Sequence, residues 1–421
     1  MNICKCFKCD TCDTLIDCRI GMSNRRVQPF QFACPVCEER ITFTFGSDNG
    51  ELTGASDIID FKAPFTGENP FVDLHLDFPV YFGKYTKGMT TFFRVIGEIG
   101  QDAFGHLAHR LEMLNKIHPM LRDLERIITQ YKKGDVNNFE KVCTKIPMAN
   151  LKSHKKEDIL ASLYTATSIM SSPFTIHEQN KDLAKGFPML FQHLHGKNKE
   201  KVISFAEEIN NNNFLKNLHF DCLGLYPRLI ELELPLRPAF FYDYIQEDKY
   251  RPVPARVSTA YFDICNTYYK DLAEVFARQL TLLAGLNNLL KRGNHNEFEA
   301  TLKLNKRNEP RKELSSLNKF ADVDLGQKIQ FIDDSFYAID MHAIDNRLRN
   351  GIAHYKYEYK ESTQVITYYP AKEGMERVKS EEITFMEFLR KTLLLFREVH
   401  SLNHLIKATL YYNILILKKD V

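Results

Sequence analysis

Apolar side chains recur at three- and four-residue spacing along most of the chain beyond residue 88, which is the pattern of amphipathic helices. The spacing predicts helices at residues 89–99, 104–117, 121–132, 155–169, 182–194, 201–209, 214–232 and 258–291. It also predicts a helix from about residue 321 to the segment that begins at residue 345, and a long or twice-broken helix at residues 380–417. The residues between these two helices include 357–369, which are typical of a β-hairpin. The predicted fold class is therefore mainly α.

The first 86 residues follow a different pattern. Residues 40–45 alternate between polar and apolar side chains, as a strand does. Residues 47–86 are rich in glycine, proline and aspartate, so we expect a linker with short strands or turns. Closely spaced prolines between residues 235 and 254 break the helical pattern and indicate a domain boundary near residue 250. We thus predict an N-terminal module at residues 1–46, the linker at 47–86, a central helical domain at 87–250 and a C-terminal helical domain at 251–421.

Composition allows several hydrophobic cores, because the 421 residues are 44% hydrophobic and 12% aromatic. The formal net charge is only +2, so a nucleic-acid partner would have to contact a local patch. The sequence contains no apolar run of the roughly 18 residues that a membrane span needs, and its N-terminus does not resemble a signal sequence. We therefore expect a soluble, cytoplasmic protein without a membrane partner.

Seven of the ten cysteines lie within the first 37 residues, and four of them form two Cys-x2-Cys pairs. Cys9 and Cys12 make the first pair, and Cys34 and Cys37 make the second after a spacer of 21 residues. Four thiolates from two tight turns can surround Zn²⁺ as a tetrahedron, and the segment resembles a zinc ribbon. Since four sulfur ligands leave no open position, we expect the Zn²⁺ to be structural. Another register is open, because Cys6 and Cys9 also form such a pair, and Cys4 and Cys18 are further thiols.

A polar segment near the C-terminus carries the candidate catalytic residues. Helical spacing places Asn346, Asn350 and His354 on one face, with Asp345 and Arg349 as a neighbouring i,i+4 pair. The adjoining apolar stripe consists of Ile344, Leu348 and Ile352. A polar edge beside a buried edge is how a helix lines a cleft.

Arg349, Asn350 and His354 follow the order arginine, polar residue, three residues, histidine, and here the chain resembles the HEPN superfamily of ribonucleases. This superfamily occurs in bacterial abortive-infection and toxin proteins. The resemblance implies that residues 251–421 form a helical bundle with a small β-hairpin, and that two copies pair so that their motifs share a cleft. Toxins of this superfamily that are paired with nucleotidyltransferase antitoxins usually have a tyrosine two positions after the histidine, where this chain has Lys356.

RNA cleavage without a metal needs a base for the ribose 2′-hydroxyl, an acid for the leaving 5′-oxygen and cationic donors for the phosphate. His354 can be the base or the acid, and Arg349 suits the phosphate. Asn350 can orient the phosphate or the imidazole, and Asp345 can position Arg349. One histidine cannot easily fill both proton-transfer roles, so the paired arrangement implies a homodimer with a composite site. The expected products have 2′,3′-cyclic phosphate and 5′-hydroxyl ends.

The sequence thus favours a metal-independent endoribonuclease of a bacterial antiviral (abortive-infection) or toxin system, with RNA as its substrate. The ribbon and the central helical domain would then act as sensor or regulator, and a phage-derived trigger or an antitoxin protein would be a further partner. The alternative is a non-catalytic regulator that uses the ribbon and the helical bundle to bind RNA, a nucleotide or a protein.

Overall fold

The computed structural model describes residues 2–46, 50–58, 65–175, 177–245, 254–259, 262–371 and 379–419. Helices dominate these residues and small sheets accompany them, so the predicted mainly α class is confirmed. The boundary predicted near residue 250 and the predicted start of the linker at residue 47 lie outside the described residues. No helix in this part of the chain combines the length and the low polarity that a membrane span requires.

The strands and helices alternate little along the chain, because most strands precede the first helix. The strands are β1 (Asn2–Cys9), β2 (Leu15–Gly21), β3 (Gln28–Ala33), β4 (Arg40–Phe45), β5 (Ala55–Asp57), β6 (Phe71–His75), β7 (Val80–Tyr81), β8 (Ala255–Arg256), β9 (Tyr357–Lys360), β10 (Val365–Tyr368) and β11 (Glu381–Thr384). The helices are α1 (Thr91–Ile99), α2 (Gln101–Ile117), α3 (Leu121–Lys133), α4 (Val136–Cys143), α5 (Lys156–Ser171), α6 (His177–Asn211), α7 (Phe214–Glu231), α8 (Glu233–Leu236), α9 (Phe262–Arg292), α10 (Leu317–Ala321), α11 (Leu325–Phe331), α12 (Asn346–Ala353) and α13 (Phe385–Tyr412).

Two compact units divide the chain, and each is assembled from three separate stretches. Unit 1 consists of Met1–Pro119, Glu231–Thr267 and Arg347–Leu393. Unit 2 consists of Met120–Ile230, Tyr268–Asn346 and Leu394–Val421. Neither unit is a continuous segment of sequence.

Unit 1 contains small sheets that bring distant strands together. One sheet has the order β5-β1-β2-β6, in which β1 and β2 are antiparallel and β6 runs parallel to β2. Strands β5 and β6 belong to the segment predicted as a linker, so that segment contributes directly to the sheet. The predicted hairpin is confirmed, since β9 pairs with β10 in antiparallel register, and β11 adds a third strand.

A buried arginine organises the interior of unit 1. Arg237 is 0% exposed, and its guanidinium donates to Glu233 at 2.5 Å and to Asp77 at 2.7 Å. It also donates to the side-chain oxygen of Asn115, and Glu233 forms a second ion pair with Arg25. Removing one partner of such a group leaves a buried charge uncompensated, which typically costs about 3–5 kcal/mol.

The prediction of a helix from about residue 321 to the motif is wrong. Only α11 forms there, and residues 332–345 contain no helix. Asp333 is held instead by long-range contacts, because its carboxylate pairs with Arg292 at 2.8 Å and its carbonyl accepts from Asn287. These contacts fix the backbone in a non-helical path that local periodicity does not reveal.

The start of the helix predicted at residues 380–417 also differs from the structure. Its first residues form β11, and α13 begins at Phe385. Thr384 and Glu387 make a reciprocal capping box, since the backbone N–H of each hydrogen-bonds to the side chain of the other. The box ends the strand and starts the helix at a defined residue.

Unit 2 contains a buried polar network around α7 and α13. Asn403 donates to Tyr226 at 2.8 Å, and the Tyr226 hydroxyl lies 2.8 Å from His400 Nδ1. His404 is 8% exposed, and within the described residues neither of its ring nitrogens has a hydrogen-bond partner. Burial lowers the pKa of His404 to about 4 and that of His219 to about 3, with a nearby lysine adding to the effect in each case. Both imidazoles are therefore neutral in the folded protein at neutral pH.

These lowered pKa values predict an acid-sensitive unit 2. A histidine of the unfolded chain has a pKa near 6.5, so between about pH 6.5 and pH 4 the unfolded state binds more protons and the free energy of unfolding falls as the pH falls. One such group changes the free energy of unfolding by at most about 1.4 kcal/mol per pH unit. We expect the thermal midpoint, followed by far-ultraviolet circular dichroism, to fall less steeply with pH in His404→Gln than in the wild type.

His193→Gln is the matched control, because His193 lies on the exposed side of α6. This variant should keep the wild-type dependence on pH. An equal slope for His404→Gln and the wild type would contradict the assignment of His404 as a group that is buried in its neutral form.

Candidate metal centre and candidate catalytic helix

Two tight turns of the same geometry carry four cysteines of unit 1. In the first turn, which follows β1, the backbone N–H of Asp13 donates to the carbonyl of Cys9 at 3.0 Å. In the second, which follows β3, the N–H of Glu38 donates to the carbonyl of Cys34 at 3.0 Å. Asp13 and Glu38 both adopt the left-handed conformation, with φ of 59° and 66°. Each Cys-x2-Cys pair thus folds into the same kind of knuckle.

The four sulfur atoms of Cys9, Cys12, Cys34 and Cys37 lie within 4.8 Å of one another. The Sγ atoms of Cys9 and Cys37 are 3.5 Å apart, and those of Cys12 and Cys34 are 3.7 Å apart. Sulfur ligands about 2.3 Å from a tetrahedral ion are separated by about 3.8 Å. The four thiols therefore have the spacing of a four-coordinate site and could hold a metal ion.

The positions of the sulfur atoms distinguish these thiols from the other N-terminal cysteines. The cluster includes Cys12, whose Sγ lies 3.1 Å from the Thr14 hydroxyl, and it does not include Cys6 or Cys18. Burial raises the pKa of Cys6 and of Cys18, and it also raises that of Cys34 within the cluster. The spacing of the sulfur atoms, rather than their pKa values, thus favours the register that contains Cys12 over the one that pairs Cys6 with Cys9.

Helix α12 carries most of the candidate catalytic segment. Leu348 and Ile352 are both 0% exposed, so the apolar side of the helix is buried. Gly351 lies against β10, where a Cβ atom would approach Tyr368 Cβ to 3.0 Å. The absence of a side chain at Gly351 therefore permits the close packing of the helix on the strand.

The end of α12 sets the position of His354. The N–H of Lys356 donates to the carbonyl of Gly351 at 2.8 Å, and the N–H of Tyr355 donates to Ile352 at 3.2 Å. With Tyr355 at φ 57°, this is a Schellman turn in which His354 is the C-cap residue. A tyrosine in the left-handed region costs about 1–2 kcal/mol relative to its usual conformation. The helix therefore ends abruptly and leaves His354 exposed.

The structure places two of the predicted catalytic side chains, those of Arg349 and Asn350, in contact, and it joins His354 to them through the helix backbone. Arg349 donates from Nη1 to Asn350 Oδ1 at 3.2 Å, and the N–H of His354 donates to the carbonyl of Asn350 at 3.1 Å. Asp345 is half-buried and directly precedes the first residue of α12. Arg349 and Asn350 thus lie in the middle of α12, and His354 follows Asn350 by four residues as the C-cap.

Two neighbours of the motif were not assigned from the sequence. Arg347 forms an ion pair with Glu381 of β11, and Tyr355 is 73% exposed beside His354. The position of Arg347, two residues before Arg349, could have indicated from the sequence that it lies near the motif. No sequence pattern indicates the exposure of Tyr355, which follows from the left-handed turn.

Comparison of the chain with protein-family models, with curated proteins and with solved structures gives no match. A function can therefore be argued only from the residues of the two candidate sites.

The metal centre leads to a stoichiometric prediction. We expect the purified protein to contain one metal ion per chain, as measured by inductively coupled plasma mass spectrometry. Cys34→Ser should lose most of this metal, because three sulfur ligands bind more weakly than four. Cys4→Ser is the control, since Cys4 is not one of the four clustered thiols. Loss of the metal in Cys6→Ser together with retention in Cys12→Ser would show that the other register is correct.

Proposed function

We propose that the chain is a metal-independent endoribonuclease of the HEPN type. The observation that carries this proposal is the end of α12, where the Schellman turn leaves His354 exposed at the C-cap, one turn beyond Arg349 and Asn350. An imidazole and a permanent cation are among the groups that phosphodiester cleavage by a 2′-hydroxyl requires, and the amide on the same helix can orient them.

The proposed reaction needs no redox change and no added cofactor. His354 removes the proton of the ribose 2′-hydroxyl, O2′ attacks phosphorus, and the bond between phosphorus and O5′ breaks. Arg349 donates to the non-bridging oxygens, whose negative charge grows as the bond forms. The products are a 2′,3′-cyclic phosphate and a 5′-hydroxyl, and the leaving oxygen takes its proton from a general acid.

The general acid is the reason for proposing a homodimer. The attacking O2′ and the leaving O5′ lie on opposite sides of phosphorus, so one His354 cannot easily be both base and acid. Two copies facing each other supply two imidazoles and two guanidinium groups. The site is then composite, with the motif of each protomer on one side of the scissile phosphate. Asn350 holds the arginine of its own motif, and we assign Asp345 a positioning role at the start of the same helix.

We propose Zn²⁺ as the metal of the cysteine centre, because four thiolates at tetrahedral spacing are its commonest structural ligand set. When bound, the ion would stabilise the two knuckles, and the closed coordination gives it no part in the cleavage. Such a nuclease suits a bacterial antiviral or toxin system, in which a phage-derived trigger or an antitoxin would control it.

A second candidate function is binding without cleavage. It is favoured by the exposure of Asn350 and His354, because groups that move protons in catalysis are commonly desolvated. In this alternative the helix contacts RNA, a nucleotide or a protein, and Arg349 is an anchor for an anion.

Substitution of His354 separates the two functions. We expect wild-type protein, expressed in a bacterial host or incubated with single-stranded RNA without added Mg²⁺, to produce fragments with 5′-hydroxyl ends that a polynucleotide kinase can label directly. His354→Ala should lower cleavage by about 10²–10⁴-fold, the usual contribution of a general acid or base.

His109→Ala is the control, because His109 is exposed on α2 and is not assigned to the site. It should cleave as the wild type does. If wild type and His354→Ala leave RNA equally intact, or if cleavage strictly requires Mg²⁺, the proposed reaction is wrong.

The composite site predicts that inactive subunits inhibit active ones. After subunit exchange with a tenfold excess of His354→Ala, about a tenth of the wild-type chains remain in fully wild-type dimers, so activity should fall to about that fraction. The measurement is the cleavage rate before and after exchange, with bovine serum albumin as the protein added in the control. Unchanged activity, together with a monomer in sedimentation equilibrium, would contradict the dimeric site.

A further inference from the structure

Unit 2 contains a cavity of about 340 Å³ that is lined by basic and apolar side chains. The basic part of the lining, called the rim below, consists of four lysines from three helices, namely Lys132 and Lys133 at the end of α3, Lys156 at the start of α5 and Lys216 near the start of α7. The lining belongs to unit 2, whereas Arg349, Asn350 and His354 belong to unit 1. The assignment of this site does not depend on the proposed nuclease.

The charge of the rim is strongly unbalanced. Among the described residues that line the cavity, Asp135 is the one carboxylate, so four lysines and one aspartate give a local charge of +3. Asp135 is already engaged, because it accepts from the N–H of Asn138 at 3.0 Å and from the Asn138 side chain at 2.7 Å, which caps α4. Like charges gathered around one concave surface raise the local potential and favour an anion.

The backbone holds two of these lysines in place. Gly134 ends α3 in the left-handed conformation, and the N–H groups of Gly134 and Asp135 donate to Tyr131 and Gln130 at 3.0 and 3.1 Å, which makes a Schellman turn. A Cβ at Gly134 would meet no atom within 4 Å, so this side of the cavity is open. The Lys132 ammonium is anchored by the carbonyl of Phe220 at 2.8 Å.

Aromatic side chains border the basic rim. The rings of Tyr131 and Phe220 are 6.3 Å apart and nearly perpendicular, at 77°, and both are half-buried. The ammonium groups of Lys132 and Lys216 lie 5.4 and 5.8 Å from the centre of the Phe220 ring. A ligand that reaches the rim therefore meets positive charge beside aromatic surface.

We propose that this cavity binds a nucleoside phosphate. The phosphate contacts the ammonium groups of Lys133, Lys156 and Lys216, and the base packs against Tyr131 and Phe220. Lysine is a compact donor that binds phosphate as a point charge, and bases stack on aromatic side chains with little dependence on sequence. The volume lies at the lower end of the range of about 300–1,000 Å³ for small-molecule sites, which suits one nucleotide.

Calorimetric titration of the full chain with the four ribonucleoside monophosphates and triphosphates tests the phosphate contacts. We expect saturable binding of at least one of them, and a decrease in affinity of at least tenfold in the double variant Lys133→Gln/Lys216→Gln. Lys141→Gln/Lys145→Gln removes the same charge from exposed positions, one on α4 and one just after it, that do not line the cavity. This variant should bind as the wild type does. No saturable binding up to about 1 mM, or equal loss in both double variants, would overturn the proposal.

Inorganic phosphate and Phe220→Leu test the aromatic contact. The wild type should bind the nucleotide at least tenfold more tightly than inorganic phosphate, and Phe220→Leu should reduce that preference without changing phosphate binding. Equal affinity for phosphate and nucleotide would overturn the base contact. Lysine-dependent binding of an RNA oligonucleotide without binding of any mononucleotide would overturn the proposed ligand in favour of a nucleic-acid strand.

Discussion

The guanidinium of Arg237 is the interaction on which unit 1 depends. A charge with no exposure must be matched within hydrogen-bonding distance, and its partners come from segments far apart in the sequence: Glu233 on α8, Asp77 after β6 and Asn115 on α2. Glu233 extends the network to Arg25, between β2 and β3. Because moving any of these groups would leave a buried charge without its partner, the network fixes the arrangement of the small sheets against the first helices.

A second set of contacts in unit 1 connects the two cysteine knuckles with the candidate catalytic helix. Ser362 donates to Glu38 at 2.7 Å, and Arg40 pairs with Glu361, so the second knuckle and β4 contact the turn between β9 and β10. Tyr368 of β10 packs against Gly351 of α12. Exposed ion pairs of this kind contribute at most about 1 kcal/mol each. The β-pairing and the buried stripe of α12, rather than these pairs, therefore hold the helix in place.

Local signals in the sequence were sufficient to predict most helices, the β9–β10 hairpin and the clustering of four cysteines. They do not predict the conformation of a segment that depends on contacts with distant residues. Asp333 is held by Arg292, which prevents the helix expected there. Short strands were expected in residues 47–86, but their pairing with β1 and β2 in one sheet has no local signal. The motif was located from its spacing, but the position of its histidine depends on Tyr355, a left-handed residue that propensity does not favour.

The local charges of α12 and of the unit 2 cavity differ more than the overall composition suggests. The net charge of +2 suggests no anionic partner, yet it averages over very different surroundings. At α12, Arg347 pairs with Glu381, and Arg349 donates to the neutral side-chain amide of Asn350. Around the cavity of unit 2, lysines from three helices converge with one carboxylate that is already used as a helix cap. In the proposed reaction, one guanidinium per motif meets the charge that develops in the transition state, whereas several lysines around a cavity suit a ligand that already carries its charge when it binds.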